Sequence, residues 1–483
     1  MPMANPSSTS SARRWLSADV ALRLQYHDET AYGSTVSGRS ELEMHRRFAV
    51  LHAYRQKFGL QRLVHEARAV LGRVFPEALA GIVDGTGLSE NWLYPAPTKV
   101  IPAYLRVERD LGEVVVQIPL SRSLTRDLAA YLGDWQRGAT PPQSGAAMSL
   151  WEALVASDAL AKARPRAPSS RRTGVTYVGH ASLAVSDGQH QVLIDPFLLP
   201  RSARYSNRWQ PLSHAALGRP DAILITHSHP DHFDLGTLLR MGADVPIYVP
   251  TVARESILAI DMSARLRELG FSAVHCLAPW QQIRVGAIEI LALPFYGEQP
   301  TTHEVLHPEV RNCGLTYAIS VGEQRISVLA DAGCDHSGDV KALAGRSRSR
   351  EGAINTVFGG YRGFAVYPVQ YLFSSVSRYL PFVPPSLWGE RQQIMCDADA
   401  LLDVGERWGA TRVVPYADGG APWFWLRGLG PRLDSKSPAA FATDPPPRYV
   451  QEVAAKRGHT RSDGPLASPL EVTVLKVGEH LPC

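Results

Sequence analysis

Three histidines and two aspartates stand within eight positions of ILITHSHPDHFD, residues 223–234, directly after an apolar run. Ala222–Ile225 has the pattern of a buried strand, and Thr226–His232 is the loop that leaves it. His227 and His229 lie two apart, so an extended backbone points both imidazoles the same way. Pro230 breaks the strand, and Asp231 and His232 are expected to start the next helix. Such a set of imidazoles and a carboxylate can serve two adjacent cations. The alternative, a surface loop that happens to be polar, does not explain HxHxDH directly after an apolar strand.

The rest of the composition narrows the setting. At 483 residues the chain exceeds one typical domain. A hydrophobic content of 45% with 20% charge fits a globular protein, and a net charge of +4 gives no reason to expect nucleic acid. Five cysteines, with no CxxC pair, fit free thiols and argue against a thiolate zinc site. The N-terminus lacks a signal-peptide core, and no apolar run is long enough for a membrane span, so a cytoplasmic protein is expected.

Organisation changes along the chain. Residues 1–20 are expected to be a disordered tail. Residues 21–162 form a mostly helical N-terminal domain, with patterns in SELEMHRRFAVLHAYRQKFGLQRLVHEARAVLG, SLTRDLAAYLGDWQRG and SLWEALVASDALAKA, and one β-type stretch, EVVVQIPL. ARPRAPSSRR, within 163–173, reads as a linker. From 174 to 483 short strands alternate with helices. There VTYVGHASLAVSDGQHQVLIDPF is a hairpin with its turn at Ser186-Asp187-Gly188, and a helix is expected over RESILAIDMSARLRELG. The pattern is α/β and layered.

THSHPDH resembles the HxHxDH signature of the metallo-β-lactamase superfamily. YVGHASLAV…VLIDPF and VLADAG are similar to the branch holding ascorbate-6-phosphate lactonases and N-acyl-phosphatidylethanolamine phospholipase D-like hydrolases. The resemblance covers about 174–430 and implies an αββα sandwich with a dinuclear centre at the sheet edges. It puts His227 and His229 on one metal, Asp231 and His232 on the other, and Asp331 between them. Asp231 and Asp331 are then the catalytic carboxylates. Asp195 and His180 are placed behind the ligands, Asp195 orienting a ligand histidine. A turn aspartate at 331 and a core histidine at 180 are the alternatives.

Two departures follow. Where hydrolases of the branch carry a histidine after the LP of a strand, this chain has LPFYGE, making Glu298 the candidate ligand, with His303 and His307 as substitutes. After TRVVP it has Tyr416, Ala417 and Asp418, and Asp418 is the candidate for the last ligand, with a plain turn or His336 as alternatives. Added carboxylates favour iron, with zinc or manganese as alternatives. Glu298 in that place resembles the diiron β-hydroxylase branch known from chloramphenicol biosynthesis. That likeness implies a dioxygen-using hydroxylase of a small or carrier-tethered substrate, an electron donor, and a long N-terminal domain preceding the metal domain. The N-terminal region is a candidate for homodimerisation or carrier docking. The competing expectation is a metal-dependent hydrolase of an ester, lactone or phosphodiester, in which metal ions acidify the attacking water.

Overall fold

A computed structural model of the chain describes residues 13–25, parts of 53–70, 102–110, 113–164, 171–200, 210–256, 259–297, 313–335, 337–362, 395–417, 446–460 and 470–483, with a few short pieces between them. The N-terminal segment contributes a three-stranded antiparallel sheet, β1 (Ala21–Gln25), β2 (Tyr104–Asp110) and β3 (Glu113–Pro119). Two helices follow, α1 (Arg122–Arg137) and α2 (Ala146–Ala156). Ser121 starts α1 by accepting the Leu124 N–H on its side chain, and Leu124, Leu128, Leu132 and Trp135 make its buried face. The expected helices over these two stretches are present. The expected helix within 40–72 falls mostly outside the described residues.

The described part of this segment carries a sheet beside its helices, because β1 and β2 pair across a long sequence separation that local periodicity does not reveal. The chain is also ordered well before residue 20: Trp15–Leu16 pairs with Leu160–Ala161, and Leu16 is buried. At the linker, Arg171 is tied down by Asp221 and by the carbonyls of Gln189 and Arg219.

The remainder is built from two seven-stranded sheets. The first contains β4 (Gly174–Gly179), β5 (Ser182–Ser186), β6 (Gln191–Ile194), β7 (Ala222–Leu224), β8 (Ile247–Pro250) and β9 (Val274–Leu277). The second contains β10 (Gln282–Val285), β11 (Ile288–Pro294), β12 (Leu315–Val321), β13 (Gln324–Val328), β14 (Thr356–Gly359), β15 (Arg412–Pro415) and β16 (Glu471–Val472). The C-terminal strand β17 (His480–Pro482) returns to the free edge of β4. In the first sheet β6 to β9 run parallel, and in the second β13 to β16 do. The other neighbours are antiparallel hairpins.

Four layers result. Val192, Ile194 and Leu224 from the first sheet meet Ile290, Tyr317 and Val328 from the second in a core between the sheets. Leu193, Ile223 and Val249 face outward and pack under the N-terminal segment and two short helices, α4 (Leu235–Leu239) and α5 (Met262–Glu268). A four-residue helix, α3 (His214–Leu217), precedes β7. The outer face of the second sheet is covered by α6 (Val340–Glu351), α7 (Ala398–Trp408) and α8 (Arg448–Thr460). Strands buried on both faces read as continuous apolar runs, which is why AILI and ISVLA are so apolar. The helix expected from residue 254 begins only at Met262, where Asp261 caps it. No described helix is long and apolar enough to cross a membrane.

Candidate metal centre

Parallel strands end together, and loops that leave their carboxyl ends converge on a crevice. Asp195 directly follows β6, Thr226–His232 follow β7, Asp331 lies just beyond β13, and Tyr416 directly follows β15. Hydrogen bonds from His232 N and Phe233 N to the carbonyl of His229 curl the β7 loop into a turn. Asp234 then caps α4, so Asp231 and His232 sit in the turn before the helix and not on it. The turn brings the imidazoles of His227 and His232 to 4.2 Å between ring centres, and those of His227 and His229 to 4.6 Å. Phe295, from the end of β11, stacks on His227 at 5.0 Å.

His232 is the hub. Its Nε2 lies 3.1 Å from Asp331 Oδ2 and 3.7 Å from Asp231 Oδ2. Its Nδ1 lies 2.8 Å from Asp195 Oδ2. Asp195 also accepts the Thr226 N–H at 2.7 Å and the Thr226 hydroxyl. His180 Nε2 lies 2.9 Å from Asp231 Oδ2. Two groups of donor atoms therefore form, His227–His232–Asp331 and His180–Asp231–His232, each with its atoms within 4.8 Å of one another. His229 belongs to neither group and stands beside His227.

The backbone is under tension around these residues. Among the described residues, five non-glycine positions have positive φ. Ala181 follows His180, Asp195 is itself one, and Ala330 precedes Asp331. Left-handed backbone at non-glycine residues persists where surrounding structure holds it, and it gathers at functional sites.

The electrostatics call for cations. Asp195 and His232 are fully buried, and the side chains of Asp231 and Asp331 are 16% and 13% exposed. Burial alone pushes the His232 imidazole down, yet Asp331, Asp231 and Asp195 together hold it well above its ordinary range. Burial pushes Asp231 up, but the imidazoles of His232 and His180 bring it below the usual carboxylate range. Asp195 is raised by its burial, against the pull of His232. Three carboxylates in so enclosed a place need positive charge. A metal ion would supply it, with the imidazole nitrogens as candidate ligands, and the mixed nitrogen and oxygen donors suit iron, manganese or zinc.

Of the residues singled out from the sequence, His180, Asp195, His227, His229, Asp231, His232 and Asp331 are brought into this one cluster. Glu298 and Asp418, with the alternatives His303, His307 and His336, lie outside the described residues. Sequence reasoning missed three groups. Thr226 anchors Asp195. The Tyr317 hydroxyl donates to the Ile225 carbonyl at 2.7 Å, bracing the end of β7 from the opposite sheet. Tyr416 is buried, and burial followed by the charges of Asp195 and Asp331 keeps its phenol protonated, far above its usual range. Its place in YAD, next to Asp418, was the only available hint.

Comparison with known proteins places the chain. Residues 174–347 match the family described as Beta-lactamase superfamily domain. A 4-amino-L-phenylalanyl-[CmlP-peptidyl-carrier-protein] 3-hydroxylase of Streptomyces venezuelae is 26% identical over 319 residues, covering 63% of this chain and 55% of the hydroxylase. The alignment thus spans only about half of that relative's length. A UPF0173 metal-dependent hydrolase of Nitratidesulfovibrio vulgaris is 32% identical over 103 residues, 21% of this chain and 41% of the hydrolase. Among solved structures, CmlA, a diiron β-hydroxylase from Streptomyces venezuelae, superposes with a TM-score of 0.62 at 16% identity, covering 98% of this chain and all of that one. The fold likeness therefore includes the N-terminal segment.

Proposed function

With a metallo-β-lactamase superfamily domain built around this cluster, we propose that the protein is a dinuclear-metal oxygenase that hydroxylates a small or carrier-tethered substrate with dioxygen. The observation that carries the reading is the alignment with the carrier-protein hydroxylase, which reaches well beyond the superfamily domain. His227, His229, Asp231, His232 and Asp331 hold the metals in this reading, with Glu298 and Asp418 completing the set. Two irons, when bound, supply the reduction of dioxygen and the oxidation of a carbon–hydrogen bond; an external electron donor balances the electrons.

The chain's own residues do the positioning. Asp195 keeps the proton of His232 on Nδ1, which leaves Nε2 as the donor atom. His180 engages one oxygen of Asp231 and leaves the other for a metal. In this reading Asp231 and Asp331 are the catalytic carboxylates. Phe295 covers His227 and keeps water from that side. The N-terminal segment is assigned the docking of a carrier or of a second copy of the chain, and the protein is read as cytoplasmic.

Elemental analysis of protein purified without added metal tests the proposal. About two irons per chain, with an optical band that responds to reduction and oxygen, is the expected result. About two zincs, with no iron taken up during growth in iron-supplemented medium, would overturn it and favour ester, lactone or phosphodiester hydrolysis.

A further inference from the structure

The oxygenase reading calls for electrons from outside, yet the cluster gives a protein donor no direct contact, because His227 and His232 are fully buried. The route inward follows β11. Phe295, the next residue after that strand, stacks on His227, and Tyr296 follows it. The Tyr296 ring lies against Gly338, and its hydroxyl accepts from Arg346 Nη2 at 3.4 Å. In the same strand the Ala292 carbonyl accepts the Trp280 N–H at 2.6 Å. The guanidinium of Arg350 sits 4.4 Å above the centre of the half-buried Trp280 ring. Arg346 and Arg350 stand one turn apart on α6. They mark where the neighbours of Phe295 reach the surface.

The patch is cationic and held in place. Arg346, Arg348 and Arg350 are exposed, and none of them meets a carboxylate among the described residues; Arg348 engages the Arg407 carbonyl at 3.4 Å. α6 carries one carboxylate, Glu351, against these three and Lys341. The helix dipole favours Arg348 and Arg350 in the last turn. It does not call for a tryptophan beneath one of them. Trp280 has φ 73°, a left-handed backbone that is costly for a bulky residue and that gathers at functional sites. An arginine stacked by its face keeps the N–H groups along its edge for carboxylates.

We infer that this patch docks an acidic one-electron carrier protein of the iron–sulfur type, which feeds the metal centre through Tyr296 and Phe295. The inference deepens the oxygenase reading and rests on it. Hydroxylation of one carbon–hydrogen bond with one dioxygen consumes two electrons and two protons and releases one water. Two reduced carriers therefore dock in turn, and each leaves oxidised by one electron. Exposed opposite charges steer such encounters and speed them without making a tight complex, which suits a partner that must leave after each electron. The patch lies on the outer face of the second sheet, whereas the N-terminal segment covers the first, so donor and substrate need not compete.

Stopped-flow mixing of the full-length, iron-loaded protein with a reduced two-iron ferredoxin, without oxygen, tests the inference, with iron and zinc measured on the same samples. Ferredoxin is expected to reduce the protein at a rate that falls as salt rises, and calorimetric titration with oxidised ferredoxin at low salt to show saturable binding. Arg346→Glu with Arg350→Glu lowers that rate about tenfold or more at low salt. Reduction by reduced methyl viologen, metal content and circular dichroism stay as in the parent. Arg122→Glu with Arg126→Glu reverses the same charge at the exposed start of α1 and leaves the ferredoxin rate within about twofold. Salt-independent reduction, an unchanged rate in the Arg346 and Arg350 variant, or an equal loss in the α1 variant would overturn the inference with the oxygenase reading intact. Two zincs and no iron would remove that reading, and the inference with it.

Discussion

Replacing Asp195 by Asn removes one charge and almost no volume, and it tests whether His232 is a metal ligand held by its neighbour. Asp195 accepts from Thr226 N, from the Thr226 hydroxyl and from His232 Nδ1. An asparagine oxygen can keep the Thr226 N–H. The Thr226 hydroxyl loses an acceptor but still accepts from His227 Nδ1–H, 3.0 Å away, so the ligating tautomer of His227 is kept. The damage falls on His232. The asparagine amide donates where the carboxylate accepted, so Nδ1 must become an acceptor and the proton must move to Nε2. In that tautomer Nε2 points a proton at Asp331 and cannot ligate. Loss of a supporting hydrogen bond behind a ligand costs metal affinity about 10–100-fold, or roughly 1.4–2.7 kcal/mol, and the tautomer argument places Asp195→Asn at the upper end. Chelator-competition titration gives the dissociation constant, and circular dichroism checks the fold. Thr226→Val, which leaves the His232 tautomer alone, should weaken binding less. A folded Asp195→Asn protein that binds metal as tightly as the parent would refute the reasoning.

Three further outcomes are expected. Gly236→Ala would place a Cβ 1.9 Å from the Leu22 carbonyl, so β1 must shift; a loss of about 1–3 kcal/mol should appear in denaturant unfolding, with faster proteolysis near residue 22. Burial pushes the Asp187 carboxyl up, but the N–H groups of His190, Ala287 and Gln189 pull it further, leaving it well below the usual range. Its folded value is depressed, so its stabilisation is present above the unfolded value of about 3.9 and fades as pH falls below it; Asp187→Asn should flatten the acid limb of stability against pH. Ser121→Ala removes the cap of α1 and should cost about 1 kcal/mol, seen as a lower melting temperature with unchanged metal content.

How much of this was legible depended on whether the signal was local. The β7 strand and the HxHxDH turn are contiguous, so burial, direction and chemistry could be read together. Asp331 was legible because it terminates an apolar strand, and Asp187 because Ser-Asp-Gly punctuates a hairpin. The helical start expected at Asp231 failed because Asp234, three residues on, is the side chain that caps α4. The strand at Tyr104–Asp110 was missed because YLRVERD carries four charges, and its partner, Ala21–Gln25, lies far away in sequence. Tyr317 and Tyr416 look like ordinary aromatic core residues; only the packing of one sheet on the other aims their hydroxyls at the metal loops.

The shared core under the first sheet has a consequence for how this protein can be dissected. Leu16, Leu22, Leu128 and Trp151 pack with Ile223, Leu238 and Val249 as one apolar mass. The segment before residue 174 therefore serves as the lid that α6 to α8 provide on the opposite face. A shortened expression clone starting at residue 174 would leave the outer side of β6 to β8 covered only by the short helices α4 and α5, and the expected product is inclusion bodies rather than a minimal enzyme.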